Sequence, residues 1–334
     1  MIGIARAHTN IALIKYWGKR DKKLFLPMNS SLSLTLDAFY TDTKVTFDQT
    51  LTKDTFFLNN KEETTEKITP FLDLFREKMS SPRFAKVESL NFVPTAAGLA
   101  SSASAFAALA GAINQASGLH LDTQTLSTFA RRGSGSATRS LYGGFVEWNK
   151  GTDSHNSMAI PIDDASWDIA MIIIVVNQAK KTISSRDGMA LTVQTSPFYQ
   201  AWVESAEKDL QNIKQAIANK DFITLGEITE FNGMKMHGTM LGSNPPFCYF
   251  EPETIIAQQA IRQLRAEGIP AYMTMDAGPN VKVLCQTSTI PTILSHLETL
   301  FSKDKLIISK VGKAMHYLTQ DDWEQSLQSF EDTL

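Results

Sequence analysis

The stretch PTAAGLASSASA, residues Pro94–Ala105, follows a predicted strand and is rich in Gly, Ala and Ser. Small residues let the backbone approach a ligand closely, and free N–H groups at a helix start stabilise a phosphate together with the helix dipole. Ser101, Ser102 and Ser104 add hydroxyls that can donate to phosphate oxygens or reach a magnesium ion. The stretch is neither a Walker loop, which needs GK[ST], nor a GxGxxG fingerprint, and tight helix packing is the alternative explanation of its small residues. We predict a phosphate-binding loop that runs into a helix, and hence an enzyme that uses a nucleoside triphosphate.

The composition is typical of a soluble globular protein long enough for two domains. The chain has 334 residues and a net charge of -3, without a basic tract of the kind that binds nucleic acid. Cys248 and Cys285 form no CxxC pair, which argues against a disulfide framework or a zinc site and favours a reducing cytoplasm. Residues 1–19 lack the pattern of a signal peptide. The most apolar run, Trp167–Val176, is too short to cross a bilayer and predicts a buried strand.

Hydrophobic patterns predict an α+β protein with two domains, residues 1–178 and 179–334. In the first domain the predicted strands are Leu32–Leu36, Lys44–Phe47, Thr55–Leu58, Lys86–Phe92, Gly144–Trp148 and Trp167–Val176, and the predicted helices are Glu63–Met79, Ser101–Ser117 and one that begins after Asp122. In the second, the predicted helices are Pro197–Asn219, Thr224–His237, Glu253–Glu267 and Ile290–Phe301, and the predicted strands are Ala271–Met275, Val281–Gln286 and Leu306–Ser309. An Asn59-Asn60 turn predicts a hairpin. Clefts between domains commonly hold small-molecule sites, so we expect the site there.

A second glycine-rich stretch, RRGSGSATR, runs from Arg131 to Arg139. It combines an adaptable backbone, hydroxyls and guanidinium groups, which suits a multiply charged oxyanion. Arg131 and Arg132 fit the end of a helix, where arginine is favoured by the dipole. Arg139, beyond the glycines, is therefore the better candidate for a substrate contact.

Three further segments carry polar groups whose role is open from pattern alone. Asn10–Lys19, NIALIKYWGK, places polar residues within an apolar strand-like run. Lys180, Lys181 and the segment SSRDG at 184–188 follow the apolar strand where the cleft should open, with solvated surface charge as the alternative. Asp276 precedes AGPN and would also suit an Asx-turn. The histidines show neither ligand nor triad spacing.

Five stretches together resemble the diphosphomevalonate decarboxylase family of the GHMP superfamily of small-molecule kinases. They are NIALIKYWGK at 10–19, PTAAGLASSASA at 94–105, RRGSGSATRSLYGG at 131–144, SSRDGM at 184–189 and MDAGPN at 275–280. Their order and spacing match along nearly the whole chain, although the part after about Gly312 carries no signature. PTAAGLASS alone indicates the superfamily, and KYWGK with GSGSATRS makes the resemblance specific to this family.

The resemblance implies a two-domain GHMP-kinase-like fold, with an N-terminal domain like that of ribosomal protein S5 and a C-terminal ferredoxin-like domain. It implies ATP-dependent decarboxylation of mevalonate 5-diphosphate to isopentenyl diphosphate, with release of ADP, phosphate and carbon dioxide, in the mevalonate route of isoprenoid biosynthesis. Mg²⁺, a cytoplasmic location and a homodimer follow from the same resemblance. No nucleic acid or membrane partner is expected.

The resemblance also assigns roles to residues. Asp276 matches the aspartate that faces the 3-hydroxyl, and Arg139 and Asn10 match the pair that holds the substrate carboxylate. The residues that match contacts to the diphosphate end are Tyr16, Lys19, Ser134, Ser136 and Ser185. Lys180 matches a lysine near the transferring phosphate. The ATP-phosphate loop comprises Ala96, Ala97, Gly98, Leu99, Ala100, Ser101 and Ser102, with Ser101 as the candidate magnesium contact.

Two other functions stay open at this stage. A kinase of the same superfamily would phosphorylate mevalonate or a relative and stop there. A catalytically inactive relative would bind only nucleotide or a protein partner. The joint presence of Asp276, Arg139 and the serine loop argues against the inactive relative.

Overall fold

The computed structural model describes residues 1–93, 101–177 and 182–332. Its strands are β1 Ile2–Ile14, β2 Lys19–Asp21, β3 Leu26–Pro27, β4 Ser31–Phe47, β5 Thr55–Leu58, β6 Lys61–Glu63, β7 Ala85–Asn91, β8 Phe145–Trp148, β9 Ala159–Asp163, β10 Ala170–Ile174, β11 Ala271–Thr274, β12 Val281–Cys285, β13 Leu306–Ser309 and β14 His316–Tyr317. Its α-helices are α1 Thr69–Arg76, α2 Ser101–Ser117, α3 Thr123–Gly133, α4 Ser185–Thr195, α5 Tyr199–Ala218, α6 Phe222–Leu241, α7 Pro252–Ala266, α8 Ile290–Leu297 and α9 Gln320–Glu331. Short 3-10 helices span Gly135–Leu141, Thr287–Thr289 and Lys303–Lys305. In these ranges no helix is both long and apolar enough to span a membrane.

The first sheet has the strand order β14-β1-β4-β7-β5-β6, with β8 joined to β4 and β9 joined to β8. Its pairs are antiparallel except for β5 and β7, which run parallel. Helix α2 packs against this sheet at very short distance: a Cβ on Gly3 of β1 would lie 2.2 Å from the carbonyl oxygen of Ala112. Tight packing therefore accounts for the small residues in the body of α2, which is the alternative explanation that the sequence left open.

The second sheet has the order β11-β12-β10-β13 and is antiparallel throughout. Both faces of β10 are covered: Met171 and Ile173 pack in the core that contains α5 and α6, whereas Ile172 and Ile174 pack against α7 and α8. Burial on both faces explains why this segment is an unbroken apolar run rather than an alternating one.

The division of the chain between the two sheets does not follow sequence order completely. Strand β10 lies before residue 178, but its hydrogen-bond partners are β12 and β13 of the second sheet. Strand β14 pairs with β1, and Trp323 and Phe330 of α9 pack with Ile4 and Leu90 of the first sheet. The predicted boundary after residue 178 stays a prediction.

Several local predictions are confirmed, and two need correction. Asn59 and Asn60, at φ 53° and 62°, form the β5–β6 turn, and the Asp122 side chain caps α3 by accepting from the Thr125 N–H. The helix predicted over Glu63–Met79 is shorter in the structure, where α1 spans Thr69–Arg76. Pro70 favours the first turn of a helix, and Lys61–Glu63, before it, pair in β6. The two strands predicted within residues 32–47 are one strand, β4, whose pairing with β1 shifts register near its middle.

Candidate active site

A cleft of about 410 Å³ opens where the end of β1, α2, the 3-10 helix Gly135–Leu141, α4, α6 and the turn after β11 meet. Every predicted site residue within the described ranges lines it, namely Asn10, Tyr16, Lys19, Ser101, Ser102, Ser134, Ser136, Arg139, Ser185 and Asp276. Ala96, Ala97, Gly98, Leu99, Ala100 and Lys180 lie outside the described residues. The structure thus brings the described candidates together, and their individual roles stay predictions.

An ion pair lies at the floor of the cleft. The Lys15 ammonium is 2.7 Å from Oδ1 of Asp276, and Nζ of Lys282 is 3.4 Å from its Oδ2. The side chains of Lys15 and Lys282 are 2% and 0% exposed, whereas that of Asp276 is 26% exposed and reaches the cleft. The turn itself is closed by the backbone, with the Gly278 N–H donating to the Asp276 carbonyl, so the carboxylate is not needed for an Asx-turn.

The charges at the floor are set by burial and by this pairing. Burial disfavours the Asp276 carboxylate, but Lys15 and Lys282 outweigh that effect and hold its pKa well below the usual range. Burial lowers the pKa of Lys15 to about 8, although Asp276 favours its ammonium form. At neutral pH the floor therefore presents an ionised carboxylate held between lysines.

Arg139 and Asn10 form a second buried pair beside the floor. Nε of Arg139 donates to Oδ1 of Asn10 at 3.2 Å, and Nη1 donates to Oγ of Ser31 at 2.5 Å. The Asn10 amide donates to the Ser136 carbonyl and to Oγ of Ser140, which fixes its orientation. No carboxylate of the described residues forms an ion pair with Arg139, which is 1% exposed and lines the cleft. Burial lowers the pKa of Arg139 to about 10, so it is still cationic at neutral pH and is suited to an incoming anion.

Hydroxyl groups surround the next part of the cleft. Tyr16 packs on the Trp148 ring, with ring centroids 4.8 Å apart, and its buried hydroxyl has no partner among the described residues. Burial raises the pKa of Tyr16, so the phenol keeps its proton as a donor. Oγ of Ser134 lies 3.2 Å from Oγ of Ser136 and 3.1 Å from Oγ of Ser102. These groups offer donors to a ligand rich in oxygen atoms.

Lys19 lies at the rim of the cleft. Its ammonium sits 3.5 Å from the ring centroid of Phe25, which follows β2 and has φ 56°. Burial, with repulsion from Arg186 and Lys22, lowers the pKa of Lys19 to about 8. Among the described residues Lys19 makes no ion pair, so its charge is available to an anionic ligand.

The structure supports the non-catalytic interpretation of Arg131. This side chain is fully buried and donates to the carbonyl oxygens of Leu24, Ser154 and Ser157. It therefore ties the β2–β3 hairpin to the segment before β9 rather than entering the cleft.

No sequence pattern marked Lys282, and none assigned a role to Lys15 or Arg186, although both line the cleft. A lysine within the apolar run NIALIK was a usable signal, because lysine is seldom fully buried without a partner. Its partner Asp276 is 261 positions away, so no local pattern could reveal the pair.

The cleft is lined by residues from both halves of the chain and contains Lys15, Lys19, Arg139 and Arg186, which fits an enzyme that binds an anionic small molecule. A family model described as diphosphomevalonate decarboxylase-like N-terminal domain matches residues 7–159, and one described as mevalonate 5-diphosphate decarboxylase C-terminal domain matches residues 171–332. The chain belongs to the diphosphomevalonate decarboxylase family.

Individual relatives agree with this assignment. Diphosphomevalonate decarboxylase of Saccharomyces cerevisiae is 41% identical over 298 residues, which cover 82% of this chain and 75% of that protein. The solved structure of mevalonate diphosphate decarboxylase from Enterococcus faecalis has a TM-score of 0.90 and 53% identity, and covers 96% of this chain and 99% of its own. A structure described as MDDEF in complex with MVAPP, AMPPCP and magnesium has a TM-score of 0.91 with the same identity and coverage. The predicted family and two-domain GHMP-kinase-like fold are confirmed.

Proposed function

We propose that the cleft binds mevalonate 5-diphosphate beside ATP and catalyses its decarboxylation to isopentenyl diphosphate, ADP, phosphate and carbon dioxide. The relatives are named as decarboxylases, and those solved with ligands are described with MVAPP, AMPPCP and magnesium, or with ATP binding. A kinase that stops after phosphorylation is therefore not favoured. The observation that carries the proposal is that one cleft contains the ionised Asp276 and the buried cation of Arg139, which forms no ion pair with any carboxylate of the described residues.

The substrate presents a hydroxyl and a carboxylate on neighbouring positions, and the floor offers a matching group for each. We assign the carboxylate to Arg139 and Asn10, because the guanidinium is buried without an anionic partner among the described residues. We assign the 3-hydroxyl to Asp276, the carboxylate that reaches the cleft. These contacts fix the two reacting groups relative to each other, which is the main requirement of phosphoryl transfer.

Asp276 is a weak base because Lys15 and Lys282 hold its pKa low. It cannot ionise a tertiary alcohol in advance, so we assign it hydrogen bonding to the hydroxyl and acceptance of the proton late in transfer. The 3-hydroxyl oxygen then carries the γ-phosphoryl group of ATP. Departure of this phosphate takes both C–O electrons; the C–C bond to the carboxylate supplies the electrons of the new alkene, and carbon dioxide leaves.

The other end of the substrate carries the diphosphate. We assign it to Tyr16, Lys19, Ser134, Ser136 and Ser185, which offer hydroxyl and ammonium donors along one side of the cleft. Charge-assisted hydrogen bonds of this kind suit phosphate oxygens. Fixed contacts at this end would hold the reacting end against the floor.

For ATP, we propose contacts from Ser101, Ser102, the preceding segment Ala96–Ala100 and Lys180. The described part of the chain contains no group of three His, Cys, Asp or Glu side chains that would hold a metal on its own. That fits Mg²⁺, which keeps waters and binds through substrate phosphates with few protein ligands, here the Ser101 hydroxyl. When bound, Mg²⁺ neutralises phosphate charge. A homodimer is part of the proposal on the family resemblance alone, and a cytoplasmic location on that resemblance together with the cysteine usage.

Product analysis tests this function. Purified protein with ATP, Mg²⁺ and mevalonate 5-diphosphate should release ADP, phosphate and carbon dioxide in equal amounts, because each turnover breaks one phosphoanhydride and one C–C bond. Replacing ATP by AMPPCP is the control and should abolish all three. ADP accompanied by a stable phosphorylated product, without carbon dioxide, would contradict the proposal and favour the kinase.

A further inference from the structure

Helix α6 lies behind the floor of the cleft and contacts both sides of the Lys15–Asp276 ion pair. Asn232 of α6 hydrogen bonds to the main chain of Lys15, and His237 of the same helix hydrogen bonds to the main chain of Met275, next to Asp276. Asn232 and His237 are 0% and 1% exposed, and neither lines the cleft.

The contact to Lys15 is fixed in direction. The Asn232 amide donates to Oδ2 of Asp209 at 2.7 Å, and that carboxylate also pairs with Lys235 at 2.6 Å. A carboxylate only accepts, so the nitrogen of Asn232 must face it. Oδ1 therefore faces the Lys15 N–H, at 2.8 Å. Both ends of the amide are in use, so Asn232 holds the Lys15 main chain in one place.

The contact to Met275 is fixed by similar reasoning. Nε2 of His237 lies 3.3 Å from the Met275 carbonyl oxygen, which only accepts, so Nε2 carries the proton. Nδ1 has no partner among the described residues. The charged groups that act on the ring are Lys15, Lys282 and Asp276. Burial and Lys15 lower the pKa of His237 to about 4, so the ring is neutral at pH 7.

The helix surface between these two contacts is also shaped to the ion pair. Gly233 follows Asn232, and a Cβ placed there would lie 3.6 Å from Cε of Lys15 and 3.0 Å from Oγ1 of Thr274. A Cβ at this position would therefore crowd Thr274, on the strand that leads to Asp276, and would be in van der Waals contact with the lysine stem.

We propose that Asn232 and His237 are positioning residues that make α6 the common support of Lys15 and Asp276. The inference rests on the proposed function, because it concerns the carboxylate assigned to the reacting hydroxyl. A small displacement of Asp276 relative to Lys15 alters the geometry at the reacting end and leaves the diphosphate contacts in place. Loss of the support therefore lowers kcat with little effect on KM.

The test uses the full chain and three variants. His237→Leu removes the donor, His237→Gln keeps an amide N–H able to reach the same carbonyl, and Met240→Leu changes a buried, apolar position of the same helix as the control. We expect kcat to fall about 10- to 100-fold in His237→Leu. His237→Gln should recover to within about fivefold of the unchanged protein. KM for each substrate should stay within about twofold, and Met240→Leu should keep normal kcat.

Three results would overturn the inference. The first is a normal kcat in His237→Leu, and the second is an equal loss of kcat in His237→Leu and His237→Gln. The third is a loss of kcat in His237→Leu that is fully explained by partial unfolding, shown by an unfolding temperature below that of Met240→Leu. If His237→Leu does not fold, His237→Asn replaces it, because its shorter amide does not reach Met275. We then expect the Asn variant to lose kcat and the Gln variant to keep it.

A second measurement needs no substrate. Long-range ¹H–¹⁵N NMR of the histidines should show one ring, absent in His237→Gln, that is protonated on Nε2 at pH 7 and stays neutral well below pH 6.5. If the ring that is absent in His237→Gln is protonated on Nδ1 at pH 7, the hydrogen bond to Met275 is overturned. If the unchanged protein releases no carbon dioxide, the proposed function fails, whereas this NMR result still decides whether His237 donates to Met275.

Discussion

At the floor of the cleft, Asn10, Lys15 and Arg139 are at most 2% exposed and hydrogen bond to other protein groups, whereas at the rim Lys19 and Ser185 are half-buried. The charges of the floor are fixed by an ion pair and by buried hydrogen bonds. The Lys19 ammonium at the rim rests on the Phe25 ring and forms no ion pair with the described residues. The floor is therefore fixed before a ligand binds, whereas the Lys19 side chain at the rim can adjust to a ligand.

This difference assigns separate tasks to the two regions. Groups that are held rigidly out of water stabilise developing charge without reorganising during the reaction. Long, half-exposed side chains lose conformational freedom when they bind, so they contribute affinity at moderate strength. We therefore expect changes at the floor to act mainly on kcat and changes at the rim mainly on KM.

The largest effect is expected for Asp276→Asn. Removing the carboxylate takes away the negative charge that faces Lys15 and Lys282, and with it the proton acceptor, so kcat should fall roughly 10²- to 10⁴-fold. ATP binding should stay nearly unchanged, which equilibrium dialysis can check. Turnover near normal, in a protein with an unchanged unfolding temperature, would remove Asp276 from the mechanism and abolish the contrast with the rim.

A smaller effect is expected for Lys19→Met. Loss of one charge-assisted contact should raise KM for mevalonate 5-diphosphate about 10-fold and leave kcat within about twofold. Steady-state kinetics give both values, and Lys23→Met, an exposed position of the same hairpin outside the cleft lining, is the matched control for lost charge. A fall in kcat as large as that of Asp276→Asn would mean that rim and floor do not have separate tasks.

Much of the fold could be predicted because its signals are local. Apolar runs predicted β10 and β12, and Asp122 and Asn59-Asn60 predicted a cap and a turn that depend on a few neighbouring residues. The continuity of β4 could not be predicted, because polar residues near its middle coincide with a register shift against β1. That feature depends on the partner strand rather than on the segment itself.

The site divides in the same way. Asp276, Arg139 and Asn10 were found because they lie in recognisable motifs, and the structure places all three in one cleft. The supports were not found: Asn232 lies 217 positions from the Lys15 it holds, and His237 acts through a main-chain carbonyl that no sequence pattern marks. Residues that act by holding others depend on tertiary contacts, so a sequence alone gives them no signature.

The most direct test of the account follows the 3-hydroxyl oxygen of the substrate. If Asp276 directs this hydroxyl to the γ-phosphate of ATP, then mevalonate 5-diphosphate labelled with ¹⁸O at this position should deliver the label to inorganic phosphate. Mass spectrometry should find one ¹⁸O in the phosphate for each carbon dioxide released. Unlabelled phosphate, with the ¹⁸O in water, would mean that ATP is hydrolysed separately and would contradict the account.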